Sequence, residues 1–233
     1  MIGIYDYTVI LTYLSLLSAT MGIIVSLHGG GHPYGGLFFL LVCGLCDAFD
    51  GKVARSKKDR TVFHQKFGIQ IDSLSDLVAF GILPVAVGNA MITWSPVIQD
   101  FMIVRSDDKS NWWLTILLYI VMLFYALAAM IRLAHYNVTE EDRQSNEGGH
   151  RKTYDGLPVT TSSLFFPAIL VLHYIIPWDI TIAYFVLMAI MGFLFLAKVR
   201  IPKAGMKGIL VMVAIGAVEF VFLVGLWLKW WQT

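Results

Sequence analysis

Apolar residues run along this chain in long blocks, separated by short polar or glycine-rich connections. A helix needs about 20 residues to cross a bilayer, so each block of that length predicts a membrane span. The first runs from Thr8 to Leu27 and is followed by the turn HGGGHPYGG. The second begins near Leu37 and continues into the acidic residues around Asp47. The third covers Ile69 to Trp94, where Pro84 is expected to kink the helix. The fourth covers Trp112 to about Tyr136, and Val159–Ile176, Ile180–Ala197 and Ile209–Leu228 complete the set. The pattern predicts an all-α, polytopic transmembrane bundle of about 7 spans, within a range of roughly 6 to 8 because boundaries of this kind slip by several residues. One integral membrane domain over residues 1–233 is expected, with a core bundle at about 8–197 and an additional C-terminal span at about 209–228.

Composition agrees with that pattern and excludes a soluble globule. Of the 233 residues, 58% are hydrophobic and only 14% are charged, and the mean hydropathy is +0.71. The opening MIGIYDYT has no basic segment and no small-residue cleavage pattern follows, so the first span is expected to be retained. Cys43 and Cys46 form a CxxC inside an apolar run, with no second pair at zinc spacing. Packing is their expected role.

Charge orients the bundle. Lys52, Arg55, Lys57, Lys58, Arg60 and Lys66 lie between spans two and three; Arg132, Arg143, Arg151 and Lys152 lie at or after the end of span four; Lys198, Arg200, Lys203 and Lys207 follow span six. Fourteen of the seventeen basic residues therefore share one side, which the bias of Lys and Arg toward the cytoplasm makes the inner one. A multi-pass protein of the plasma membrane is expected, with no nucleic-acid partner.

Against this background residues 47–76 stand out, because four carboxylates fall in or beside membrane spans, where charge is expensive and marks function. Residues three or four apart share a helix face. Asp47 and Asp50 therefore project together from the end of span two, while Gly68, Asp72 and Asp76 align at the start of span three. Clustered hard oxygen ligands suit Mg²⁺, Mn²⁺ or Ca²⁺ rather than zinc, and four carboxylates can hold two ions. Paired ions of that kind serve phosphate-ester chemistry. Gly51 and Gly68 would let a ligand approach the backbone, and Arg55 could face a phosphate or a carboxylate.

The run Asp47-x-x-Asp50-Gly51-x-x-Ala54-Arg55, then Gly68-x-x-x-Asp72-x-x-x-Asp76, resembles the signature of the CDP-alcohol phosphotransferases, integral membrane enzymes that move a phospho-alcohol from a CDP-activated donor to a hydroxyl. Twelve residues separate Arg55 from Gly68, a longer turn than is usual in the family. IDSLSDLVAFGILP (71–84), IRLAHYN (131–137), YDGLPVTT (154–161) and KVRIPKAGMK (198–207) are similar to runs of the bacterial and archaeal membrane-type phosphatidylserine synthases, except that His135 and Tyr136 stand where Arg and Phe are usual. The resemblance covers roughly Leu37 to Lys207.

Several expectations follow from that resemblance. Asp47, Asp50, Asp72 and Asp76 would hold two Mg²⁺ or Mn²⁺ ions, and Asp76 would be the catalytic base. Gly51, Ala54, Arg55 and Gly68 would bind the CDP donor. Arg132 and Asn137 are candidates for the acceptor carboxylate or the phosphate, chosen by charge and location. The resemblance implies transfer of phosphatidyl from CDP-diacylglycerol to L-serine, a homodimer, and an active site facing the cytoplasm. Glycerol 3-phosphate or inositol phosphate as acceptor stays open, as does, more distantly, a cation-coupled transporter.

Overall fold

A computed structural model describes residues 2–28, 33–95, 98, 112–146, 153–175, 179–202 and 206–231. Its helices are α1 (Ile10–Leu27), α2 (Pro33–Ser56), α3 (Val62–Asp76), α4 (Leu83–Trp94), α5 (Trp112–Asn146), α6 (Ser162–Ile175), α7 (Thr181–Leu196) and α8 (Met206–Trp231). A π-helical turn, Leu77–Ile82, joins α3 to α4, so that Val62–Trp94 forms one continuous apolar helix. Among the described residues seven helical segments result, in keeping with a polytopic membrane bundle. Three of them are long and apolar enough to cross a membrane on those grounds alone: Ile10–Leu27, Val62–Trp94 and Trp113–Asp142.

The first helix shows why the bundle suits lipid. Its buried residues are Thr12, Ser15, Ser18, Ala19, Gly22 and Ser26, whereas Leu14, Leu17, Met21, Ile24 and Leu27 are exposed. Large apolar residues face outward because lipid tails welcome them. Small and hydroxyl residues face inward because, with no hydrophobic drive between helices in lipid, close backbone approach gives the packing. A Cβ on Gly36 of α2 would stand 2.2 Å from Ser26 Oγ and 2.5 Å from Val87 Cγ2, and one on Gly22 would stand 2.9 Å from Phe39 Cβ. Ser18 Oγ and Cys43 Sγ donate across this contact to the carbonyls of Phe39 and Ser15. Both cysteines are buried free thiols, as packing residues should be.

Two boundaries differ from the sequence reading. The third span begins at Val62, seven residues before the apolar run that starts at Ile69. Thr61 caps it, its Oγ1 accepting from the His64 N–H at 3.2 Å. The fourth span, α5, continues to Asn146 through a polar stretch beyond Tyr136. Pro84 acts through a wide turn on its N-terminal side. Lacking an N–H, it cannot bond the Phe80 carbonyl, and the Tyr125 hydroxyl of α5 donates to that oxygen at 2.7 Å instead. The Tyr184 hydroxyl of α7 donates to the Pro84 carbonyl at 2.8 Å. Both tyrosines are fully buried in the central apolar cluster, alongside Phe80, Leu83, Phe166, Met188 and Phe195.

A two-stranded ribbon, unforeseen in an all-α reading, closes one end. Strand β1 (Thr153–Asp155) pairs antiparallel with β2 (Arg200–Pro202), with Tyr154 opposite Ile201. The partly exposed pair Lys57 Nζ–Asp6 Oδ2, at 2.7 Å, ties the segment before α1 to the turn after α2. Lys57 and the Thr8 groups that donate to Asp6 hold its carboxyl well below the usual range.

Filling the α1–α2 contact should loosen the bundle. Gly36→Val is expected to lower the thermal unfolding midpoint in detergent by the equivalent of about 1–3 kcal/mol or more, the usual cost of overpacking. Gly225, which has nothing within 4 Å of its Cβ direction, should accept the same change without effect.

Candidate active site

Two turns of helix, one on α2 and one on α3, carry the four acids. Asp47 and Asp50 lie in the second half of α2, and Asp72 lies in the second half of α3. One carboxylate oxygen from each of these three falls within 4.8 Å of the others. Asp50 is buried, while Asp47 and Asp72 are partly exposed. Asp76 follows Asp72 by one turn, is 9% exposed, and stands outside that group of three, though near enough to interact with all of them. It is also the last residue before the π turn, so the wide segment begins directly beyond it. Such turns recur at functional sites because they re-aim the side chains around them.

Among the described residues no lysine or arginine pairs with any of these four acids; the two ion pairs are Lys57–Asp6 and Lys66–Glu141. At an effective dielectric of about 20, two carboxylates 4.8 Å apart repel by about 3 kcal/mol. The three-oxygen group therefore calls for positive charge. Hard carboxylate oxygens from two helices, unpaired with side-chain cations, fit a divalent cation of the Mg²⁺ or Mn²⁺ kind.

The two predicted glycines each lie beneath a guanidinium. A Cβ on Gly51 would meet Arg55 Nη1 at 3.1 Å, so Arg55 folds back over its own helix. A Cβ on Gly68 would meet Arg60 Nη2 at 3.0 Å. Arg60 belongs to the long turn and is not among the candidates named from the sequence; nothing in SKKDRTVFHQKF distinguishes it from the three lysines of that stretch. Ala54 sits half-buried on α2 between Gly51 and the helix end.

The two acceptor candidates have structural partners. Asn137 Nδ2 donates to Ser73 Oγ at 2.7 Å, which fastens α5 to the residue next to Asp72. Ser75 Oγ, beside Asp76, donates to the Thr12 carbonyl of α1. The site helix is thus held on both sides. Arg132 is 5% exposed and donates from Nε to the Leu157 carbonyl at 3.1 Å and from Nη2 to the Gly156 carbonyl at 3.3 Å. Gly156 has φ +84, a left-handed value that favours glycine. Its N–H bonds the Val199 carbonyl at 2.7 Å, so Arg132, the GLP turn and the ribbon form one assembly.

Residues 8–233 match the family described as CDP-alcohol phosphatidyltransferase. The chain belongs to that family. Among curated relatives, a CDP-diacylglycerol–serine O-phosphatidyltransferase of Saccharomyces cerevisiae is 30% identical over 139 residues, which cover 59% of this chain and 42% of the yeast protein. A protein of the same name from Mycobacterium tuberculosis is 24% identical over 140 residues, covering 60% of this chain and 41% of its own length. The matched stretch thus spans about two fifths of these relatives. The run that resembles the family signature lies on α2 and α3, with acids of both helices brought together and Arg60 of the turn against Gly68.

The contacts of Arg132 predict a cost in stability distinct from any cost in binding. Arg132→Gln should lower the stability of the ligand-free protein by about 2 kcal/mol or more, because charge-assisted bonds to the buried Gly156 and part-buried Leu157 carbonyls are lost. Thermal unfolding without substrate measures this, and an unchanged midpoint would contradict the clamp.

Proposed function

We propose that this protein transfers phosphatidyl from CDP-diacylglycerol to the hydroxyl of L-serine, giving phosphatidylserine and CMP. The observation that carries the reading is the meeting of Asp47, Asp50 and Asp72 of α2 and α3 within 4.8 Å, in a chain of the CDP-alcohol phosphatidyltransferase family. The serine acceptor is supported by the run DSLSDLVAFG and by the printed names of the yeast and mycobacterial relatives.

Asp47, Asp50, Asp72 and Asp76 would hold two divalent cations, Mg²⁺ or Mn²⁺. Bound there, the ions would neutralise the donor's pyrophosphate and make its phosphorus more electrophilic. Gly51 and Gly68 allow the donor to approach both helices, and Ala54 is small for the same reason. Arg55 supplies positive charge beside the phosphates. Asp76, enclosed at the start of the wide turn, takes the proton from the serine hydroxyl. The serine oxygen bonds the β-phosphorus next to the diacylglycerol, the bond from that phosphorus to the bridging oxygen breaks, and CMP leaves with the electron pair. Asn137 keeps Ser73, and hence Asp72, in place. Arg132 shapes the acceptor side by fixing the GLP turn, with its carbonyl bonds leaving less of the guanidinium for a ligand. The site faces the cytoplasm of a plasma membrane, where CMP can escape and the lipid stays in the leaflet, and the enzyme is a homodimer, as the family resemblance implies.

Purified protein given CDP-diacylglycerol and Mn²⁺ or Mg²⁺ should release CMP when L-serine is present and not with glycerol 3-phosphate or inositol phosphate. Product from another alcohol in place of serine would refute the acceptor assignment. Asp76→Asn should lower turnover by about 10²-fold or more while CMP binding persists; retained turnover would remove Asp76 from the role of base.

A further inference from the structure

We propose that Arg60 is a binding residue for the nucleotide half of the donor, resting on the phosphatidyl-transfer reading above. The long turn delivers its guanidinium to Gly68, where Nη2 lies 3.0 Å from the position of a Cβ. Gly68 precedes Asp72 by four residues of helix, about 6 Å along the axis. A cation therefore rests one turn from the acid cluster without pairing to it.

The internal contacts of Arg60 leave its donors largely unspent. Nη2 reaches the His64 carbonyl at 3.5 Å, the outer limit of a hydrogen bond. Nε is buried and has no hydrogen-bond partner among the described residues. A buried donor on a charged group is costly to leave unmade. Helix capping does not account for it, since Thr61 already fills that role for α3. A ligand carrying acceptors does.

Arginine offers five N–H donors and no acceptor, so its partner must present oxygens or an unprotonated ring nitrogen. A cytidine nucleotide does so with its phosphate, its ribose hydroxyls and its base carbonyl, and its negative charge is complementary. On α2, Arg55 covers Gly51 in the same manner. One guanidinium comes from α2 and the other from the turn before α3, each over a glycine of an acid-bearing helix. The added length of the turn thereby acquires a purpose: it carries a second arginine to the glycine of α3.

The test measures CMP binding to the full chain in detergent with Mg²⁺, by calorimetry, for the wild type, Arg60→Ala, Arg60→Gln and Lys58→Ala, each first shown to unfold at the wild-type temperature. Arg60→Ala should weaken CMP by about tenfold, the size of a charge-assisted hydrogen bond. It should also raise KM for CDP-diacylglycerol to a similar degree, with kcat and KM for serine within about twofold. Arg60→Gln keeps the length and loses the charge, and should fall between. Lys58 is exposed, and its removal should leave CMP binding unchanged. Wild-type affinity in both Arg60 variants, or an equal loss in Lys58→Ala, would overturn the assignment to Arg60 alone. Failure of the wild-type chain to bind CMP would overturn the phosphatidyl-transfer reading and this proposal with it.

Discussion

Repulsion among carboxylates held at the edge of a membrane is the constraint on which this structure turns. Asp47, Asp50 and Asp72 are brought within 4.8 Å of one another by two helices, at a cost of about 3 kcal/mol for each charged pair. No lysine or arginine among the described residues pairs with them. A bundle that maintains such an arrangement must be rigid enough to resist it, and the site must gain its missing positive charge from something it binds.

The rigidity comes from packing that only small residues permit. Gly22, Gly36, Ser18 and Ser26 let α1 and α2 approach closely, which fixes the helix carrying Asp47 and Asp50. The opposing helix is fastened by Ser75 to the Thr12 carbonyl and by Asn137 to Ser73, both between Asp72 and Asp76. Beyond Asp76 the missing N–H of Pro84 leaves the Phe80 carbonyl without its helical donor, and the Tyr125 hydroxyl supplies one, while the Tyr184 hydroxyl adds a bond to the Pro84 carbonyl. The tyrosines thus convert a weakness of the helix into contacts with α5 and α7.

What could be read from residues alone was whatever depends on spacing along one helix. Apolar runs gave the spans, and intervals of three and four placed Asp47 with Asp50 and Asp72 with Asp76. Features that need a partner from elsewhere in the chain were not legible. The wide turn depends on Tyr125, forty-five residues after Phe80. The early start of α3 lies in VFHQKF, too polar to register as a span yet long enough to add helical turns before Gly68. Arg132 resembled a ligand-binding cation at the right depth, and its carbonyl partners at 156 and 157 became visible only once the GLP turn was folded beside it. Arg60 was one basic residue among several until Gly68 was seen beneath it.

The central claim is that this acidic cluster exists to hold two cations together. Electron paramagnetic resonance of the purified protein titrated with Mn²⁺ addresses it directly, without substrate or turnover. Two ions per chain with a spin-coupled spectrum are expected, and Asp50→Asn should abolish the coupling. A single uncoupled ion, or no saturable binding at millimolar Mn²⁺, would contradict the account.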